Sequence, residues 1–513
     1  MIARALAQQL KVPYVEITPD LVAPRAARLL SESQARRLRA LPIGEAGPLM
    51  RVAMADPTDF QAQDEVQRIV GREIDLVVVT EARLNVVIDR LYSASEELTG
   101  LAREIEMETA PDPLAAADVQ VDEAPVAKFL QTMFDDALRS RASDIHLEPQ
   151  ERKLQVRFRV DGALQMQTEA EKRIAPAIVQ RVKLMAGLDI AERRLPQDGR
   201  FVAKVRNQAI DVRISTMPTQ YGESVVLRIL SQSGGLLQLD RLHMPAPVLA
   251  KVREFMRASH GMLLVTGPTG SGKTTTLYGV LSELNTVEAK VLTVEDPVEY
   301  RLPGINQVQV NEKINLSFAT VLRSALRQDP DIVLVGEMRD RDTMETGLRA
   351  AMTGHMVLST LHTNDAASTP LRLLDMGAQR FLVASSLRLV LAQRLLRTVC
   401  PECAQPCQAS PQEHAFLRAV MGRDTAGALL TQGAGCGTCN RTGYLGRQGI
   451  YELLDMSPDV INALNGGDAV AYHAAARREI GDLSLARHAG ELVLAGRTTA
   501  REAMRTIGRV HEH

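Results

Sequence analysis

Tryptophan is absent from the 513-residue chain, and all aromatic residues together make up 3% of it. That leaves little material for the stacking platforms on which single-stranded nucleic acids are held. A net charge of one sign is missing as well. The 60 basic and 62 acidic side chains leave a formal charge of −2, so no overall positive field collects polyanions. No run of eighteen apolar residues occurs, so no bilayer-spanning helix is expected. The first residues, Met1 to Lys11, lack the basic-then-apolar order of a secretory signal. Cysteine is confined to five positions between Cys400 and Cys439, which is one local site in a reduced compartment and not a disulfide framework. These absences point to a cytoplasmic protein, and the length predicts three or four domains at about 150 residues each.

What is present is ordinary globular composition, 45% hydrophobic and 24% charged. Residues 1–98 alternate short helical and strand-like patterns, for example Ala3 to Leu10 and then Tyr14-Val15-Glu16-Ile17. A linker follows over residues 99–125. From Leu101 to Pro125 it carries seven acidic residues against one Arg and three Pro, too little apolar surface to order itself, so a flexible tether is expected. Residues 126–233 mix a helix around Phe129 to Leu138 with strands such as Leu154 to Val160, Ile210 to Ser215 and Ser224 to Leu230. Beyond Gly234 short apolar strands alternate with helices to residue 397, the rhythm of a parallel α/β sheet. A cysteine-bearing element (398–442) and a helical tail (443–513) complete the chain, and no fixed-period repeat is found.

The most informative stretch is Gly267-Pro268-Thr269-Gly270-Ser271-Gly272-Lys273-Thr274, which fits G-x-x-x-x-G-K-[ST], with Thr275 next in line. An apolar strand, Met262 to Val265, leads in. A helix with Leu277, Val280, Leu281 and Leu284 on one face leads out, the context this motif requires. Glycines let backbone N–H groups curl round a phosphate, and the helix N-terminus adds positive potential. Lys273 is then expected at the β/γ-phosphates of ATP and the Thr274 hydroxyl at Mg²⁺.

Two further strands end in acids. Val291 to Val294 runs into Glu295-Asp296-Pro297-Val298-Glu299, and Ile332 to Val335 into Gly336-Glu337. Strand C-termini line the ligand crevice of an open parallel sheet. Glu295 and Glu337 are therefore both candidates for the water-activating or magnesium-side carboxylate, and the pattern does not divide those roles between them. His355 and His362 flank another strand. Seven extended residues span about 23 Å and an odd separation puts them on opposite faces, so they cannot share one metal. His362, just past the strand end, is read as a sensor near the γ-phosphate. Arg323 and Arg327 fall at i and i+4 of a helix expected over Phe318 to Arg327. Arg213 and Arg228 stand among apolar strand residues, a setting that suits arginines reaching a γ-phosphate from another domain or subunit.

Cys400-Pro401-Glu402-Cys403 and Cys436-Gly437-Thr438-Cys439 are two C-x-x-C knuckles. Four thiolates make a closed tetrahedral site for structural Zn²⁺ with no position left for chemistry. The spacer is longer than in a simple ribbon, so an inserted helix is expected, with Cys407 as a spare thiol.

With these residues in hand, nearly the whole chain resembles the secretion ATPases of the type II secretion and type IV pilus assembly superfamily. Gly267 to Thr274 corresponds to that family's Walker A motif and Glu295 to Glu299 to its aspartate box. Gly336-Glu337-Met338-Arg339-Asp340 corresponds to the end of its Walker B motif and Gly354 to Asn364 to its histidine box. Ser143-Asp144-Ile145-His146-Leu147-Glu148-Pro149 and Arg194-Leu195-Pro196-Gln197-Asp198-Gly199-Arg200 are further matches. Ile210 to Ser224 and the acidic linker look closest to the mannose-sensitive haemagglutinin pilus type, with general secretion E proteins nearly as similar. Pilus-type relatives begin with tandem Arg-Leu-Gly-x-x-Leu elements that bind cyclic di-GMP. This chain opens at Met1-Ile2-Ala3-Arg4-Ala5-Leu6, downstream of them, so either the start is truncated or that regulation is lost, and cyclic di-GMP binding is not predicted.

The resemblance implies a RecA-like P-loop core, a PAS-like α+β middle domain, a small N-terminal α/β domain and a tetracysteine zinc element of the assembly-type members. It implies that Arg213, Arg228, Arg323 and Arg327 approach the nucleotide phosphates. It also implies a homohexameric motor at the inner face of the bacterial inner membrane, hydrolysing ATP to extrude a pilus or pseudopilus. Residues 1–98 would dock on an inner-membrane platform protein. The rival class is a ring helicase or DNA-translocating ATPase, against which balanced charge and scarce aromatics argue.

Overall fold

A computed structural model describes residues 2–508 except 11, 19–20, 28, 31, 48, 92–122, 206–207, 231–237 and 426. Nearly all of the expected acidic tether and the expected boundary near residue 233 lie outside the described residues. The chain divides into two compact units, residues 1–231 with 436–441 and residues 232–435 with 442–513.

The first unit begins with a three-stranded sheet. Ala40–Ala46 pairs antiparallel with Leu49–Met54, which runs parallel to Ile74–Val78. The parallel pair is joined by the helix Phe60–Val70, capped by the Asp59 carboxylate and closed by Gly71 in the left-handed conformation. Val52, Val66 and Leu84 fill its core. The strand expected at Tyr14 to Ile17 is reduced to a single bridge between Tyr14 and Val78. Pro13 has no N–H to extend that ladder.

A six-stranded antiparallel sheet follows, in the order Ala163–Glu171, Lys153–Val160, Ala142–Pro149, Gly222–Leu230, Gln208–Thr219, Gln197–Val205. Alternate residues such as Ile145, Phe158, Val212 and Leu227 join Phe129 and Phe134 of the helix Glu123–Arg139 and Ile178 of the helix Ala175–Met185 in one core. The intervening positions carry charge. Arg213 and Arg228 stand directly opposite each other, and Asp144 is opposite Arg228 on its other side. Arg228 Nε donates to Asp144 Oδ1 at 2.9 Å.

The second unit is built on a seven-stranded sheet ordered Asn306–Gln309, Val291–Glu295, Ile332–Val335, Met356–Leu361, Gly261–Thr266, Leu387–Val399, Tyr444–Asp455. All neighbours are parallel except the last pair. Such a sheet is covered on both faces, which is why its strands are continuous apolar runs. Met262 and Leu264 pack with Met338, Leu348 and Leu382 on one side. Leu263 and Val265 pack with Val248, Val252, Leu277 and Leu281 on the other.

Helices Pro458–Gly466, Ala469–Ile480, Leu485–Leu494 and Ala500–Gly508 close the C-terminal end. The expected inserted helix lies at Pro411–Met421, held by a Ser410/Glu413 capping box between the strands Ala404–Cys407 and Leu430–Gly433. Among the described residues no helix is long and apolar enough to cross a membrane.

Candidate functional site

The strand Gly261–Thr266 delivers the chain to the phosphate loop, and the helix Lys273–Leu284 leaves it. Gly267, Gly270 and Gly272 all have positive φ. At Gly267 a Cβ would stand 2.4 Å from the Gln393 carbonyl oxygen, so both the conformation and the close approach demand glycine there. Gly272 caps the helix without any side-chain acceptor, leaving the first-turn N–H groups available to an anion. Ser271 Oγ is buried in the loop with no hydrogen-bond partner among the described residues. This orphaned hydroxyl beside glycine-freed N–H groups fits a nucleotide phosphate. Lys273 Nζ donates to the loop carbonyls of Gly267 (2.8 Å) and Pro268 (3.1 Å). Burial pushes its pKa down to about 8, Glu337 works against that, and Arg394 adds to it. Thr274 is exposed and Thr275 half-buried at the start of the helix; Pro268 and Thr269 are exposed in the loop.

The two candidate carboxylates have different surroundings. Glu295 ends its strand only 3% exposed. Tyr278 Oη donates to its Oε2, and Thr293 Oγ1 and Gln307 Nε2 donate to its Oε1. Burial, and then the Glu295 charge, push the Tyr278 phenol far above its ordinary value. Glu337 is more open. Its Oε1 lies 3.1 Å from His362 Nε2, its Oε2 accepts from Arg339 Nε at 2.8 Å, and its charge reaches Lys273. Gly336 makes the approach between the two strands possible, because a Cβ there would stand 3.2 Å from the Val294 carbonyl oxygen.

Thr266 and Thr363 join the phosphate strand to the histidine loop, with their hydroxyls 2.5 Å apart and the Thr363 N–H donating to Thr266 Oγ1 at 3.0 Å. His355 lies ahead of the strand Met356–Leu361, at the end opposite His362, against the Ala350 carbonyl.

One expectation needs correction. The helix expected to Arg327 ends at Ala325, with Leu326 as its cap, and Asp329 takes a positive φ ahead of Pro330. Arg327 stands one residue past the cap Leu326, its N–H closing the last turn onto the Ser324 carbonyl. Its Nη1 donates to the Arg323 carbonyl at 2.9 Å. Arg213 and Arg228 lie in the first unit, on the charged face of the six-stranded sheet.

Sequence reasoning passed over Gln393 and Arg394, which are 2% and 6% exposed. Thr276 Oγ1 donates to Gln393 Oε1 at 2.7 Å, and Arg394 reaches from beneath Gly267 to the Asn364 carbonyl. Their signal was a polar pair inside the apolar run Leu389-Val390-Leu391-Ala392-Gln393-Arg394-Leu395-Leu396.

The thiols of Cys400, Cys403, Cys436 and Cys439 all lie within 4.8 Å of one another, and Cys436 Sγ is 3.7 Å from Cys439 Sγ. Tetrahedral zinc with bonds of about 2.3 Å sets its sulfurs about 3.8 Å apart, so the donor set fits the ion. Backbone N–H groups of Gly435 and Cys436 point at Cys403 Sγ and Cys439 Sγ, as thiolate ligands require. Cys407 stands outside the cluster on the strand Ala404–Cys407.

Comparison with known proteins agrees with this geometry. Residues 119–505 match the family described as Type II/IV secretion system protein, and residues 10–98 match the MshEN domain. The type IV pilus assembly ATPase PilB of Myxococcus xanthus is 42% identical over 511 residues, covering 97% of this chain and 89% of that one. Type II secretion system protein E of Pseudomonas aeruginosa is 42% identical over 499 residues, covering 95% and 98%. The solved ATPase DotB of Legionella pneumophila shares the fold, with a TM-score of 0.55 at 22% identity over 74% of this chain and 96% of that one. On the family match and on relatives of this identity along almost its whole length, the chain belongs to the Type II/IV secretion system protein family and is an ATPase of that class.

Proposed function

We propose that this ATPase is a homohexameric motor at the cytoplasmic face of the bacterial inner membrane, where ATP hydrolysis drives assembly of a pilus or pseudopilus. The observation that carries the hydrolytic part is the convergence of Lys273, Glu337 and His362 on the C-terminal edge of one parallel sheet. Lys273 and the loop N–H groups hold the β/γ-phosphates. The Thr274 hydroxyl and Glu337 are the residues to hold Mg²⁺, which when bound neutralises charge on the phosphate oxygens. Glu337, steadied by His362 and Arg339, orients the attacking water. Glu295 has its oxygens engaged by Tyr278, Thr293 and Gln307, and its part is to hold the floor of the crevice.

Arg213 and Arg228 of the middle domain (126–233), with Arg323 and Arg327 of the core (234–397), complete the charge around the phosphates when domains or subunits close. The thiolates of Cys400, Cys403, Cys436 and Cys439 bind structural zinc. Residues 1–98 dock on an inner-membrane platform partner, and the subfamily is the mannose-sensitive haemagglutinin pilus type.

The test is ATP hydrolysis by the purified protein across a concentration series, with and without single-stranded DNA. A specific rate that climbs with concentration and ignores DNA is expected of shared sites in an assembling ring. Strong stimulation by DNA would move the protein to the translocase class.

A further inference from the structure

Arg394 is a buried cation that the hydrolytic reading leaves without a task. It sits on the strand Leu387–Val399, immediately beyond the stretch that pairs with the phosphate strand, where Thr266 is opposite Ala392. Its two terminal nitrogens reach different carbonyls. Nη1 donates at 2.9 Å to the Gln393 carbonyl, the oxygen against which Gly267 of the phosphate loop packs. Nη2 donates at 2.5 Å to the carbonyl of Asn364, two residues after His362. Nη1 is also 2.9 Å from where a Cβ of Gly267 would stand, so the guanidinium forms part of the floor of the loop.

Burying a cation is costly unless charge and hydrogen bonds repay it. Here burial lowers the guanidinium's pKa, the charges of Glu452 and Asp365 oppose that, and the two carbonyls supply its hydrogen bonds. Glu452 is itself buried and accepts the N–H groups of Ala366 and Leu485. The segment His362–Asn364 is thereby pinned from two sides, by Thr266 through Thr363 and by Arg394 through Asn364. A planar fork suits this task, because it reaches two carbonyls in fixed geometry where a lysine offers a single point of charge.

We propose that Arg394 is a positioning residue for hydrolysis, fixing the floor of the phosphate loop and the loop that holds His362 against Glu337 with one guanidinium. The proposal rests on the reading of Glu337 and His362 as the hydrolytic pair. Displacements of about 1 Å at such a pair cost up to about 100-fold in rate. Substitution of Arg394 is accordingly expected to act on turnover more than on nucleotide affinity.

The experiment compares the full-length wild type, Arg394→Lys, His362→Ala and the double variant, with Glu337→Gln as control. ADP titration counts competent sites in each, and ATP turnover is expressed per competent site. Arg394→Lys is expected to lower turnover per site about tenfold while leaving the ADP dissociation constant within about threefold. In the His362→Ala background the same substitution is expected to cost less than about twofold more, since both changes disturb one unit.

Three results would overturn the proposal. One is turnover per site in Arg394→Lys within about threefold of wild type. Another is a loss that multiplies in full onto His362→Ala. The third is loss of ADP binding in proportion to turnover, which would leave Arg394 a purely structural residue. Failure of the underlying reading has a separate signature: Glu337→Gln would then hydrolyse ATP as fast as wild type.

Discussion

His362 Nε2 lies 3.1 Å from Glu337 Oε1, and each residue stands just past the C-terminal end of one of two neighbouring parallel strands. The contact crosses the sheet edge that the phosphate loop also occupies, so register alone brings an acid and a base to the same place. Glu337→Gln is expected to bind ATP with near-normal affinity and to hydrolyse it about 10²–10⁴-fold more slowly. Equilibrium binding of ATP alongside steady-state phosphate release checks this, and comparable turnover would remove Glu337 from the chemistry.

The Glu295 carboxylate predicts a stability phenotype. Tyr278→Phe removes a buried donor to a charged acceptor and is expected to cost about 1.5–3 kcal/mol. Glu295→Ala, which strands the buried hydroxyls of Tyr278 and Thr293, is expected to cost more. Chemical denaturation of the two variants against wild type gives the order directly.

Lys273 predicts an alkaline limb. Its pKa is pushed down to about 8, and only the protonated form attracts phosphate, so kcat/KM for ATP is expected to fall as pH rises past about 8. Bound phosphate favours the charged amine, so kcat is expected to hold to higher pH than kcat/KM. Lys273→Ala is expected to abolish hydrolysis while its circular dichroism spectrum matches wild type.

For the cysteine cluster, elemental analysis of wild type is expected to return about one zinc per chain. Cys436→Ser is expected to return far less and to melt at lower temperature, while the nucleotide still binds to the phosphate loop. A variant that keeps its full zinc content would remove Cys436 from the ligand set.

His488 is buried, accepts the Tyr451 N–H on Nδ1 at 3.1 Å and stacks on the Tyr451 ring. Burial pushes its pKa down to about 4, so the folded state holds it neutral. An unfolded chain takes up a proton near pH 6.5, and the folded one does so only near pH 4. Its contribution is thus whole above about pH 6.5 and is lost as pH falls through that window, on the order of 3 kcal/mol by the acid end. Thermal melts from pH 7.5 to 5 are expected to show a shallower acid slope for His488→Gln than for wild type.

The sites that were legible in the sequence are those whose chemistry is local. The phosphate loop announces itself because Gly267, Gly270 and Gly272 must take positive φ within a few residues of Lys273. The acids at strand ends were legible for the same reason, since apolar run and carboxylate are adjacent in the chain. Which carboxylate faces the crevice was not legible. The groups that engage Glu295, Tyr278 and Gln307, are 17 and 12 residues away and meet it only through sheet pairing and helix packing. Arg394 lay further out of reach, because the loops it joins sit far back in the sequence and the parallel register alone collects them. Pro330 marked the neighbourhood of the helix end, but the hydrogen bond from Arg327 to the Arg323 carbonyl was not legible.

The strand Leu387–Val399 continues past the phosphate loop for the residues Gln393–Val399, about 23 Å of extended chain, before Cys400 begins the thiol cluster. It is braced along that stretch by the antiparallel strand Tyr444–Asp455. The strand is therefore a girder with the phosphate loop near its middle and the thiol knot at its tip. The knot is too far from the loop to touch the chemistry, yet it is bolted to the same beam. One strand thus places both the floor of the phosphate loop, at Gln393 and Arg394, and the first cysteine of the cluster, Cys400.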